Sequence, residues 1–217
     1  MTLKDSFARV VDQPIAAVDI KGNLKHVTEA DLRTLLEPVV NRRFLNVDLL
    51  TLKERVEADP WIAQATLSRR WPDRLQVSLV EETAIARWGD SSFLNQAGEE
   101  KNVGDNSVLQ DLPLLRGPEQ SQQKVARKYV EIASLLLPLA LQVNELTLED
   151  DLSWQLALDN GLVIRLGRDQ LLEKIKRFST VYETVLKPKL ADIYSVDLRY
   201  HNGLAVEWSP QALSLAN

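Results

Sequence analysis

Side chains able to do acid–base or nucleophilic chemistry are sparse in this chain. Histidine, which titrates nearest neutral pH, occurs twice, at His26 and His201, each beside a predicted turn. A histidine on a loop is more often solvated than catalytic. Cysteine is absent, so no thiolate nucleophile, disulfide or Cys-based metal site can form. No HExxH, GxSxG, Walker A or GxGxxG pattern occurs. The glycines at Gly161 and Gly167 are spaced wrongly to cradle a phosphate and read as strand boundaries. Two acidic runs remain, Glu81-Glu82 and Glu149-Asp150-Asp151. Glycoside hydrolysis needs an acid and a second carboxylate flanking one bond. Neighbouring carboxylates on a strand point to opposite faces, so adjacency builds no such pair. Both runs therefore read as solvated surface. The expectation is no enzyme, no cofactor and no metal.

The remaining composition is that of a folded protein with binding surfaces. Hydrophobic residues at 45% can fill a core, and 217 residues allow one large domain or two small ones. A net charge of −5 argues against a nucleic-acid partner, which calls for a basic face. The densest basic cluster, Arg69, Arg70 and Arg74, reads as a solvated strand end. No stretch reaches the ~18 apolar residues of a membrane span, and the polar opening lacks the apolar run of a signal peptide. The expectation is that the protein is either cytosolic or carries a membrane anchor upstream of this chain.

The elements that must carry any surface follow from periodicity. Val18 to Ile20 reads as a strand. Thr28 with Asp31 forms a capping box before a helix striped by Leu32, Leu35, Leu36 and Val39. Asp48 caps a second helix (Leu49, Leu52, Val56) that stops at Asp59-Pro60. Alternation through Ile62, Ala65 and Leu67, and again through Leu75, Val77 and Leu79, predicts a hairpin about Arg70-Trp71-Pro72-Asp73, with proline in a type I turn. This βααββ order fills residues 15–83 as one α+β domain.

Residues 84–209 form a second, mixed α/β domain with an antiparallel-rich sheet and two helices. Short strands fall at Ala84 to Trp88 and Ser92 to Asn95, and residues 99–111 read as a loop. An extended segment closes at Pro118, and a helix follows from about Ser121 to Leu137. Strands come next at 145–148, at Trp154 to Leu158, and from Val163 to Gly167 after an Asp159-Asn160-Gly161 hairpin signal. Asp169 is the expected cap of a helix burying Leu172, Ile175, Phe178, Val181, Tyr182 and Val185, ended by Lys187-Pro188. Residues 1–14 and 210–217 are expected to lie outside the two domains.

The terminal hairpin is the most informative surface. With a three-residue loop at His201-Asn202-Gly203, Tyr200 faces Leu204, Leu198 faces Val206 and Val196 faces Trp208. All the apolar residues then share one face, and Asp197, Arg199, Ala205 and Glu207 share the other. The last strand is a candidate sheet edge, whose unpaired N–H and C=O groups could accept an added strand from a partner. Composition alone favours a plainer reading, in which Tyr200 and Trp208 are ordinary core aromatics and the tail caps the edge.

One family carries this combination of residues. Val18-Asp19-Ile20-Lys21-Gly22-Asn23, Thr28 to Arg33, Phe44 to Asp48, Pro60-Trp61, Arg70-Trp71-Pro72-Asp73 and Ala86-Arg87-Trp88 resemble the POTRA domain of the FtsQ/DivIB cell-division family. Leu115-Arg116-Gly117-Pro118, Ser153-Trp154-Gln155, Leu166-Gly167-Arg168, Arg177-Phe178 with Tyr182, and Val196 to Tyr200 with Trp208 resemble its β domain. The resemblance runs in order from about residue 15 to 209. It implies a non-enzymatic divisome scaffold on the periplasmic face of the bacterial inner membrane at the septum. A single membrane helix would precede this chain, with residues 1–14 as a juxtamembrane segment. It implies recruitment of other divisome proteins through the POTRA domain. The β domain would bind the FtsB–FtsL pair, FtsB adding a strand to the last strand. Carried over residue by residue, the partner surface is Arg199, Tyr200, Asn202, Gly203, Leu204, Ala205, Val206 and Trp208. Some relatives carry arginines before Ser-Trp-Gln, where this chain has Asp151-Leu152. Two other readings are a POTRA module of an outer-membrane assembly or secretion pore and an envelope enzyme acting on peptidoglycan.

Overall fold

In the computed structural model, residues 14–39, 42–201 and 203–209 are described. The chain divides into two compact units, the first ending at Thr83 and the second beginning at Ala84.

The first unit has the expected order: β1 (Ala17–Lys21), α1 (Glu29–Leu36), α2 (Leu49–Glu57), β2 (Ile62–Arg70) and β3 (Arg74–Glu81). β3 is central, parallel to β1 and antiparallel to β2. Both helices begin on side-chain caps. Thr28 Oγ1 accepts the Asp31 N–H while Asp31 accepts the Thr28 N–H, and Asp48 accepts from Leu50 and Thr51. Leu32, Leu36, Leu52 and Val56 bury against Leu75 and Val77 of β3 in one cluster.

Three expectations fail in this unit. The Trp71–Pro72 bond is cis, which a type I turn does not contain. Glu81 is no solvated carboxylate: its side chain is 8% exposed. It accepts the N–H groups of Lys25, His26 and Val27 at 2.8–2.9 Å, clamping the β1–α1 loop to β3. Arg69 is likewise engaged, its guanidinium donating to the carbonyls of Phe44 and Val47.

Among the described residues the second unit has nine strands: β4 (Ala84–Trp88), β5 (Ser92–Asn95), β6 (Glu100–Asn102), β7 (Leu114–Arg116), β8 (Val143–Leu148), β9 (Trp154–Leu158), β10 (Val163–Gly167), β11 (Ile193–Asp197) and β12 (Ala205–Trp208). They are arranged β12-β11-β10-β9-β8-β7-β4-β5-β6. Five of the eight pairings are antiparallel. The helices α3 (Gln122–Leu136) and α4 (Leu171–Val181) pack Val125, Ile132, Leu136, Ile175 and Phe178 into the core with Leu115, Leu146, Leu156 and Ile164.

Here too the sequence misleads in places. The stretch 99–111 is not all loop, because β6 pairs with β5 and a one-turn helix spans Ser107–Leu109. Asp169 does not cap α4. Lys174 is buried and must be satisfied, and its ammonium takes both the Asp169 carboxylate and the Leu166 carbonyl at 2.9 Å. Gln170 occupies the cap position instead, with φ +50° and no side-chain bond. Lys187-Pro188 does not end the helical run. A π turn at Tyr182–Leu186 leads into a 3₁₀ segment, Lys187–Asp192. The wider π turn shifts the helical phase by one residue, so Leu186 is buried and Val185 is exposed.

Candidate partner-binding edge

β12 is an outer strand of the nine-stranded sheet, as expected of the last hairpin. Its orientation follows from its neighbours. Leu198 donates its N–H to the Arg165 carbonyl of β10, and β10 and β11 run parallel. Main-chain groups alternate sides along a strand, so those of Val196 also face β10, and those of Ser195 and Asp197 face β12. Ala205 and Glu207 sit opposite Asp197 and Ser195 and turn their groups inward. Val206 lies opposite Val196, so its N–H and C=O point away from β11. The strand is held at its far end by Ser209 N–H to the Asp192 carbonyl at 2.7 Å. Glu207 is held on the polar face by the Ser195 hydroxyl at 2.7 Å and by Arg165 at 3.4 Å.

The register differs from the one the sequence suggests. Val196, not Leu198, faces Val206, and Asp197 faces Ala205, a slip of two residues. An even slip keeps these side chains on their expected faces, which is why face counting does not reveal it, and only past the irregularity, where Trp208 meets Ile193 instead of Val196, is the offset odd. The cause is local. Asp197 accepts the main-chain N–H of Arg199 at 2.9 Å, a turn-forming bond that competes with the ladder. The Arg199 guanidinium closes on the same carboxylate, with Nη2 2.6 Å from Oδ2. From α4, Arg177 donates to the carbonyls of Leu198, Tyr200 and His201 at 3.3, 3.0 and 2.7 Å. The chain thus leaves the ladder after Asp197 and rejoins it at Ala205. Hydrogen bonding from Arg199 outweighs burial and holds the Asp197 carboxyl below its usual range, and the same bond raises the Arg199 pKa.

Consequently the expected site residues divide into four groups. Val206 and Ala205 lie on the edge strand itself, Val206 packed on the core and Ala205 exposed. Arg199 and Tyr200 project from the preceding loop, Tyr200 59% exposed. Gly203 and Leu204 are half-buried just before the strand, and Asn202 lies outside the described residues. Trp208, 38% exposed, ends the strand opposite Ile193, with the Lys189 ammonium 5.9 Å from its ring centre. Neither Tyr200 nor Trp208 belongs to the buried core, so the reading of both as core aromatics fails.

The structure adds Tyr194, which the sequence reading passed over. Period-two counting places it on the same face as Val196, yet it is 56% exposed at a break in register between Ile193 and Ser195. Arg177 stands in the sequence only within the Arg177-Phe178 motif, and its three carbonyl contacts have no local sequence signal.

A groove of about 570 Å³ opens over β9 and β10, lined by Asp151, Gln155, Arg165, Arg168, Lys174 and Arg199 among others. Asp151 is held at a pKa of about 2, first by Ser153 and then by Arg168, whose guanidinium is 3.1 Å away. Among the described residues no group of three or more His, Asp or Glu side chains is arranged to hold a metal ion. Among them also no helix is long and apolar enough to cross a membrane.

Two family models match this chain. One described as "Cell division protein FtsQ/DivIB, C-terminal" covers residues 86–199, and one described as "POTRA domain, FtsQ-type" covers residues 13–82. The first stops short of β12. Proteins called "Cell division protein FtsQ" are similar along most of the chain. That of Cellvibrio japonicus is 38% identical over 200 residues, covering 92% of this chain and 62% of the relative. That of Hahella chejuensis is 32% identical over 198 residues (91% and 71%), and that of Shewanella oneidensis 36% over 195 (90% and 74%). The chain therefore spans between 62% and 74% of the length of these relatives.

Proposed function

The chain belongs to the FtsQ/DivIB family of cell-division proteins, and from that premise we propose that it is a non-catalytic scaffold of the divisome that takes a partner segment as an added strand along β12. The observation carrying this reading is the outward direction of the Val206 main-chain groups on a short outer strand. A segment laid beside β12 would hydrogen-bond to those groups. Tyr200 and Trp208 flank the strand with exposed aromatic surface, the residue class that dominates binding energy at interfaces. Arg199 and Glu207 add a polar rim.

The partner is the FtsB–FtsL pair, with FtsB supplying the strand. The protein acts on the periplasmic face of the inner membrane at the septum, tethered by a helix outside this chain. Its POTRA domain contacts other division proteins. A pull-down of the FtsB–FtsL periplasmic segments with wild type and Trp208→Ala tests the assignment. Retention by wild type and loss in the variant supports it, and equal retention by both removes Trp208 from the interface.

A further inference from the structure

We propose that one end of the first unit, formed by residues 42–45 and the turn at 70–74, docks on the surface of an anionic lipid bilayer. Several main-chain and side-chain contacts bring these segments together. The Phe44 and Trp71 rings meet edge to face at 4.9 Å, and Arg69 lies 5.9 Å over the Phe44 ring while binding the Phe44 carbonyl. Ile15 donates to the Arg42 carbonyl and Ala16 to the Asp73 carbonyl, so residues 14–16 run through the same end.

Two features of this end suit a bilayer surface. The first is exposed apolar surface at its tip. Phe44 is buried beneath, but Trp71 is 58% and Leu45 47% exposed. Tryptophan is favoured at the headgroup level because its ring is apolar and its N–H still finds a polar partner. The second is charge. In a chain of net charge −5, Arg42, Arg43, Arg69, Arg70 and Arg74 converge here, against Asp19, Asp73 and the capping Asp48. Arg70 donates to the neutral Gln76 amide, and Arg74 pairs with Asp19 at 3.4 Å in a half-exposed, salt-screened contact. Arginine forks match phosphate oxygens, and clustered basic side chains are drawn to anionic headgroups. An apolar tip ringed by arginines fits a phospholipid surface better than an acidic protein, which would leave Trp71 and Leu45 facing charge.

The binding itself needs only this surface, and its use rests on the reading of a membrane-tethered scaffold. A tethered domain has a high effective concentration at the bilayer, so weak contact suffices to fix its orientation.

Co-sedimentation with phosphatidylcholine vesicles, alone or with about one third phosphatidylglycerol, tests this. The expected result is preferential pelleting with the anionic vesicles, weakening as salt is raised. The Arg42→Glu/Arg70→Glu double variant reduces vesicle binding about tenfold or more, and Leu45→Ser reduces it several-fold. Circular dichroism confirms that both remain folded. The same variants capture the FtsB–FtsL segments as wild type does, so failure here leaves the β12 reading standing, and the reverse. Equal pelleting with neutral and anionic vesicles, or unchanged binding by the double variant, overturns the proposal. Capture of a soluble acidic protein without vesicle binding overturns it as well.

Discussion

Asp197 and Arg199 show how two residues decide where a strand stops. The carboxylate takes both the main-chain N–H and the guanidinium of Arg199, and Arg177 takes the carbonyls that follow. Arg177→Ala leaves three carbonyls without that donor, a loss of about 1–3 kcal/mol. The expected outcome is faster amide exchange through residues 198–204 and weaker partner capture, partly restored in Arg177→Lys. Unchanged exchange there contradicts the role given to Arg177. Tyr200→Ala and Trp208→Ala each cost about 2 kcal/mol or more in partner binding if they anchor it, as a titration with an FtsB segment would read. The residue types were legible in the sequence. The Asp197 turn was hidden because its effect, an even slip, moves no side chain to the other face.

At the scale of elements, the caps at Thr28 and Asp48, the βααββ order and the two long helices were legible because each rests on local chemistry or periodicity. β6 was not, since Glu100-Lys101-Asn102 gains its strand character only from pairing with β5. The inward face of the run that continues α4 differs from expectation beyond Tyr182, where the π turn changes the period being counted. Glu81 was misread for a related reason: its three donors lie more than fifty residues earlier in the chain. Burial works to raise its pKa, but the N–H groups of Val27, Lys25 and His26 prevail and hold it below the usual value. The carboxylate therefore stabilises the fold above its ordinary pKa, and that stability is lost as pH falls through the depressed value. Glu81→Gln costs about 1–3 kcal/mol at neutral pH, read as a lower urea midpoint, and the gap closes toward acid. A gap that persists at low pH contradicts the account of Glu81.

For the whole molecule, two separately cored units imply separable consequences. Damage at Glu81 belongs to the first unit and leaves capture at β12 intact, whereas Arg177→Ala does the opposite. A Glu81→Gln variant that lost partner capture would show that this division fails. The fold class and the ordered motifs could be read from the sequence. The direction of the β12 main chain could not, because it depends on how β10, β11 and β12 stack.

The claim that β12 is completed by a partner strand is tested most directly by amide exchange at Val206, with and without the FtsB segment. The predicted result is a Val206 N–H that exchanges readily in the isolated chain and becomes strongly protected in the complex. Binding that leaves Val206 exchange unchanged while protecting other regions would contradict strand addition at this edge.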